Sequence, residues 1–285
     1  MPLPNLSCTL RGHHGAVYDL AWNASNQTWA SAGGDGVIAR WATGATDGVA
    51  LFQHTSPFYA VAEWQSNIVG GNATGELFFN IAGKHTVHAV HKASVFALHV
   101  DGDGTLWSGD GDGTLCRWSC QGSTVAHVQL ISTNLGKIRN IENHPEGLLV
   151  AGGEGQWCVL NLAGTILQRV PAHPRSCYWA MHWPHKNVVV SGGQDGEVCV
   201  HQDDAEVLRL EVHQSALYRG MVRDGVLWTC GRDKDVKAWS TQSLEPMGKL
   251  PNPHARSVNA LAIGGVDGEL LATGSDDRSI KIWSF

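Results

Sequence analysis

The sequence predicts an all-β protein built from seven tandem units. Three observations carry this. First, Val37-Ile38-Ala39-Arg40-Trp41, Thr114-Leu115-Cys116-Arg117-Trp118, Asp235-Val236-Lys237-Ala238-Trp239 and Ser279-Ile280-Lys281-Ile282-Trp283 are copies of one short strand, and weaker copies end at Asn80, Leu160 and His201. Second, the seven equivalent positions (41, 80, 118, 160, 201, 239 and 283) lie 38 to 44 residues apart, so residues 1–285 read as one domain with nothing left over for another. Third, turns such as Gly33-Gly34-Asp35-Gly36 separate short alternating apolar runs, and no segment keeps a helical period.

Within the first unit, Val17–Trp22 alternates, Thr28–Ser31 follows a polar turn, Val37–Trp41 follows the glycine turn, and Gly48–Phe52 leads into His54. Gly and Asp at the turns tolerate positive φ, as hairpins require. Each unit therefore reads as four short strands.

Composition narrows the function classes. With 20 Lys+Arg against 26 Asp+Glu, a net charge of −6 and no basic run, nucleic-acid binding through phosphate neutralisation is not expected. No apolar run approaches the ~18 residues of a membrane span, and the N-terminus has neither a basic cluster nor an apolar core that reads as a secretion signal. Leu6-Ser7-Cys8 has a faint likeness to a lipoprotein cleavage site but lacks the hydrophobic segment ahead of it. Seven scattered cysteines with no CxxC fit a reducing compartment, and a cytoplasmic location is expected.

Histidine, Ser/Thr and Asp abound, the ingredients of an acyl-transfer triad. Their arrangement argues otherwise. The sets are His13, Ser31, Asp35 and Trp41; His91, Ser108, Asp112 and Trp118; His213, Thr229, Asp233 and Trp239; and His254, Thr273, Asp277 and Trp283. In all four the hydroxyl lies ten residues before Trp and the acid six before it. An active site needs one such set in a cleft, whereas four at fixed spacing are architecture. Indole donates, hydroxyl and imidazole relay, and carboxylate accepts, so each member finds a partner in a buried chain. The fifth unit keeps His173, Ser191 and Asp195 but has His201 for Trp; the second keeps His54 but has Gly70, Thr74 and Asn80; the fourth has Asn134, Val150, Glu154 and Leu160, which cannot form the chain.

On these repeats and sets the chain resembles the WD40 family of β-propellers, and the likeness spans essentially its whole length. The resemblance implies a seven-bladed β-propeller of four-stranded antiparallel blades around a central channel, with the four-residue sets as the family's structural tetrads. It also implies closure by the N-terminal segment. The last unit ends at Trp283-Ser284-Phe285 with no fourth strand, and residues from about 5 to 11 are expected to supply it.

No cofactor or metal is expected. Asp101-Gly102-Asp103-Gly104 and Asp110-Gly111-Asp112-Gly113 invite a calcium reading, but counting from Asp101 the sixth and twelfth positions hold Leu106 and Asp112 where an EF-hand needs Gly and Glu. There is no P-loop, HExxH or GxSxG, and no Cys/His set at zinc spacing. Cys116, Cys158 and Cys199 recur two residues before the strand-end position and read as small buried hydrophobes.

In the family, partners commonly engage the face where each inner strand begins. The exposed position there, five residues after the repeat histidine, holds Tyr18, Tyr59, Phe96, Arg139, Tyr178, Tyr218 and Asn259, and so takes all four tyrosines of the chain. A second family position, just before the turn acid, holds Gly34, Ala73, Gly111, Gly153, Gln194, Arg232 and Asp276. Small residues on units one to four leave the rings uncovered, and Arg232 and Asp276 add charge. The resemblance thus implies a non-catalytic, monomeric scaffold that docks a protein or peptide on this rim. One inserted side chain, apolar or cationic, would suit the rings, with Arg139 pairing a carboxylate or phosphate. Three other readings stand beside it: the rings as a plug of the channel entrance, the channel mouth as the active site of a hydrolase or lyase, and the propeller as a small-molecule binder.

Overall fold

The computed structural model describes residues 3–81 and 83–285, so Met1, Pro2 and Ala82 lie outside the described residues. Seven four-stranded antiparallel sheets follow one another around a central channel, and no helix occurs among the described residues. The inner strands are Val17–Asn23, Phe58–Trp64, Val95–Val100, Ile138–His144, Cys177–Trp183, Leu217–Arg223 and Val258–Gly264.

Burial explains the sequence of each blade. The second strand is pressed between neighbouring sheets and is buried along its whole length in Thr28–Gly33, Val188–Gly193 and Val226–Gly231. Such strands read as unbroken apolar or small runs rather than alternating ones. Outer strands such as Lys84–Ala89, Ala205–Glu211 and Pro246–Lys249 are mostly exposed and carry the polar residues. Glycines on second strands set how closely blades approach. A Cβ on Gly109 would stand 2.4 Å from Ile138 of the next blade, and one on Gly274 would stand 2.7 Å from Val17 across the ring closure. Real Cβ atoms do not come that close, so these positions admit only glycine without repacking.

The ring closes through Asn5–Arg11, which pairs antiparallel with Ser279–Ser284, placing Leu6 opposite Trp283 and Leu10 opposite Ile280. The last sheet thus takes its outer strand from the start of the chain, and Ser279–Ser284 is covered rather than left as the sheet's edge.

Four complete polar chains stitch the blades internally. In blade one Trp41 Nε1 donates to Ser31 Oγ (2.8 Å), Ser31 donates to His13 Nε2 (2.7 Å), and His13 Nδ1 donates to Asp35 (3.0 Å). Blades six and seven repeat this through Trp239–Thr229–His213–Asp233 and Trp283–Thr273–His254–Asp277. Burial works against ionisation of these acids, yet the hydrogen bonds and charges around them outweigh it, and Asp233 and Asp277 are held at about 2.

Blade three corrects the sequence expectation. Trp118 donates to Ser108 (2.8 Å) and Ser108 to His91 (2.7 Å), but His91 Nδ1 bonds Asp110 at 3.0 Å, not Asp112. The reason is local. At the position two residues before the turn acid, blades one and five have Gly33 and Gly193, over which His13 and His173 pack to reach Asp35 and Asp195. Asp110 fills that position, so its own carboxylate meets the imidazole first. Its second oxygen caps the turn by accepting from the backbone N–H of Asp112 (3.0 Å) and Thr114 (2.8 Å), and the Asp112 side chain is exposed.

The degenerate blades differ in kind. Blade five keeps His173–Ser191 and His173–Asp195 at 3.1 and 2.9 Å, while His201 packs edge-on against Trp157 with its Nδ1 unpartnered. In blade two the acid's place is served by Asn72 and Glu76, which bond each other and approach His54. Blade four replaces the polar chain with packed hydrocarbon. Leu135 abuts Gly152 as His13 abuts Gly33, and it is clustered with Val150, Cys158 and Leu160, all fully buried. A polar network exchanged wholesale for apolar packing leaves no donor stranded.

Candidate functional site

Every inner strand carries the same irregularity near its start. The pairing register of the first and second strands slips between Val17 and Asp19, Phe58 and Ala60, Val95 and Ala97, Ile138 and Asn140, Cys177 and Trp179, Leu217 and Arg219, and Val258 and Ala260. The skipped residue in each case is the rim residue named from the sequence: Tyr18, Tyr59, Phe96, Arg139, Tyr178, Tyr218 or Asn259. A bulge leaves one residue outside the ladder and re-aims its side chain. Seven bulges therefore turn seven side chains toward one mouth.

They line a single cavity of about 390 Å³, together with Arg219 and Asp276. All seven are half-buried. Tyr18 meets Tyr59 edge-on with centroids 5.1 Å apart, Tyr59 stacks on Phe96 at 5.0 Å, and Tyr178 meets Tyr218 edge-on at 5.2 Å. Arg139 bridges the two arcs: its guanidinium carbon lies 4.9 Å from the Phe96 centroid and 5.0 Å from that of Tyr178. Asn259 donates to the Val17 carbonyl (3.0 Å) and to Asp276 (2.8 Å), which ties blade seven to blade one. Arg232, expected on this rim, is exposed and does not line the cavity. Gly34 and Gly111 stand against Tyr18 and Phe96, where an added Cβ would come 3.1 and 3.3 Å from the rings.

Arg219, which lines the same cavity, is held by an ion pair. Arg219 reaches across to Asp19 at 3.2 Å, and the other Asp19 oxygen accepts the Val61 N–H at 3.0 Å. Burial raises the Asp19 carboxyl above its ordinary value against the pull of Arg219 and the N–H groups of Val61 and Leu20. With both oxygens engaged it is a strut, not a free acid. Sequence reasoning passed over Arg219; the available signal was a charge following Tyr218 where blades two, three and seven have Ala60, Ala97 and Ala260.

Burial raises the Tyr18 and Tyr218 hydroxyls, which keeps them protonated, and lowers Arg139. The serine and threonine oxygens of the tetrads belong to residues with no exposed surface, so no substrate reaches them. A larger cleft, about 730 Å³, lies at the far ends of the inner strands of blades three, four and five and includes Asp101, Glu142, His144, Glu146 and His182. Asp101 there is spent on its turn, accepting the N–H of Thr105 (2.9 Å) and the indole N–H of Trp107 (2.9 Å). Among the described residues no group of three or more His, Cys, Asp or Glu is arranged to hold a metal.

Fold and tetrads together define a seven-bladed β-propeller of the WD40 type. The family of the WD domain, G-beta repeat, matches residues 4–42 and 245–284, the two stretches that meet at ring closure. Among solved structures, the WD40 beta propeller domain of Doa1 is similar over 100% of this chain and 97% of that one, at 19% identity and a TM-score of 0.85. Comparison with curated proteins gave no match. The family match covers those two stretches, and the fold of the chain is that of a WD40-repeat propeller. Propellers of this family are generally non-catalytic and commonly serve as scaffolds for protein interaction.

Proposed function

We propose that this chain is a non-catalytic scaffold that docks a protein or peptide on the channel mouth rimmed by Tyr18, Tyr59, Phe96, Arg139, Tyr178, Tyr218 and Asn259. The observation that carries the reading is the bulge repeated in all seven inner strands, which delivers these side chains to one cavity. A cavity about 390 Å³ in volume suits one inserted side chain, with the surrounding turns available to its flanks. Rigid tyrosines supply amphipathic contact area at low entropic cost. Asp276 belongs to this surface, and Arg232 stands outside the cavity as an outlying charge. The seven cysteines stand free, which supports a reducing cytoplasmic setting.

The test is affinity capture from the cell's own extract with three baits: wild type, Tyr59→Ala/Tyr178→Ala, and Val128→Lys on the exposed outer strand of blade three. The reading expects a set of proteins held by wild type and Val128→Lys and lost from the rim variant, with unchanged melting. Capture equally efficient with the rim variant, and lost with Val128→Lys, would move the interface to the blade sides.

A further inference from the structure

We propose that the mouth recognises an acidic side chain of its peptide, with the carboxylate paired to the guanidinium edge of Arg139. This rests on the mouth being the docking surface and names what it selects. Arg139 makes no side-chain hydrogen bond or ion pair with any described residue, and its Nε is buried without a partner. Its guanidinium lies between the rings of Phe96 and Tyr178, so what remains open is the edge, where the N–H donors lie in one plane. That edge matches a carboxylate in bidentate fashion. Burial without a counter-charge already pulls the Arg139 pKa down.

The cationic occupant that bare aromatic rims favour is disfavoured here, because the protein's own arginine holds that position and would repel a second. Lys137 adds a further cation, 5.8 Å from the Phe96 centroid and likewise without an ion pair among the described residues. Charge matching selects a carboxylate over a phosphate. Of the two arginines that line the cavity, Arg219 is already neutralised by Asp19, and Asp276 lies in the same lining. One free guanidinium in that lining answers one negative charge.

The experiment selects displayed random peptides on the immobilised full chain, then measures anisotropy of the enriched peptides against wild type, Arg139→Gln and Tyr59→Ala/Tyr178→Ala. The expected result is Asp or Glu fixed at one peptide position. Changing that residue to the amide, or Arg139 to Gln, should each weaken binding about tenfold or more, and combining the two should cost little beyond either alone. Enriched peptides that lack the acid, that tighten when it becomes phosphoserine or lysine, or that ignore Arg139→Gln overturn the carboxylate assignment. If those same peptides still fail on the tyrosine variant, mouth docking survives. Peptides indifferent to every rim variant, or no enrichment over bare resin, overturn both. Melting curves of each variant separate lost recognition from lost folding.

Discussion

Asp110→Ala and Asp112→Ala, compared side by side, test the polar chain of blade three. The Asp110 carboxylate accepts from His91 Nδ1 at 3.0 Å, from the Asp112 N–H at 3.0 Å and from the Thr114 N–H at 2.8 Å, and the residue is 1% exposed. Removing it strands one buried imidazole N–H and two backbone donors. An unsatisfied buried donor costs roughly 1–3 kcal/mol. The imidazole loses the most, because no other acceptor lies against its Nδ1, whereas water entering the turn can partly serve the backbone groups. The sum is about 3 kcal/mol. For a chain of this size that lowers the melting temperature by about 5 °C. Asp112 makes no side-chain hydrogen bond and faces solvent, so its removal stays within about 0.5 kcal/mol. Differential scanning calorimetry and urea titration of the three proteins give both numbers. If Asp112→Ala is as damaging as Asp110→Ala, the argument that the nearer carboxylate captures His91 is wrong.

Three further outcomes follow from the same structure. Asp233 and Asp277 are held at about 2 in the folded chain, below the ordinary carboxylate value near 3.9, so the stabilisation they carry is complete above that value and drains away as pH falls toward 2; Asp233→Asn/Asp277→Asn should be less stable at pH 7 and show a shallower stability loss between about pH 4 and 2, and parallel wild-type and variant curves would contradict this. Leu135→His should cost about 3 kcal/mol, since Val150 and Leu160 offer the imidazole no partner, and a urea midpoint equal to wild type would mean that the site relaxes to admit water. Deleting residues 1–11 should lower stability sharply and promote aggregation by baring Ser279–Ser284 as a strand edge, whereas melting within a degree or two of the intact chain would refute ring closure by that strand.

What the sequence determined by itself is whatever repeats with the blade. Strand order, the glycine turns and the tetrads of blades one, six and seven are short-range relations copied along the chain, so a fixed offset reads them out. The rim was legible for the same reason: the skipped residue of each bulge always falls one place after the first residue of its strand, from Tyr18 after Val17 to Asn259 after Val258. The tertiary structure decided everything that depends on which groups compete for one space. Asp110 and Asp112 both stand near enough in sequence to serve His91, and only the depth of the turn shows which carboxylate arrives. Leu135 could not be recognised as the histidine's replacement, because the connection before blade four shifts its place by one residue relative to Asn134 and the equivalence is spatial. The ion pair beside the mouth is less legible still. Arg219 and Asp19 are separated by 200 residues and meet only because the ring closes. Contacts within a blade inherit the period of the sequence. Contacts across the channel join different blades at no recurring separation, so their partners are fixed by the geometry of the closed ring.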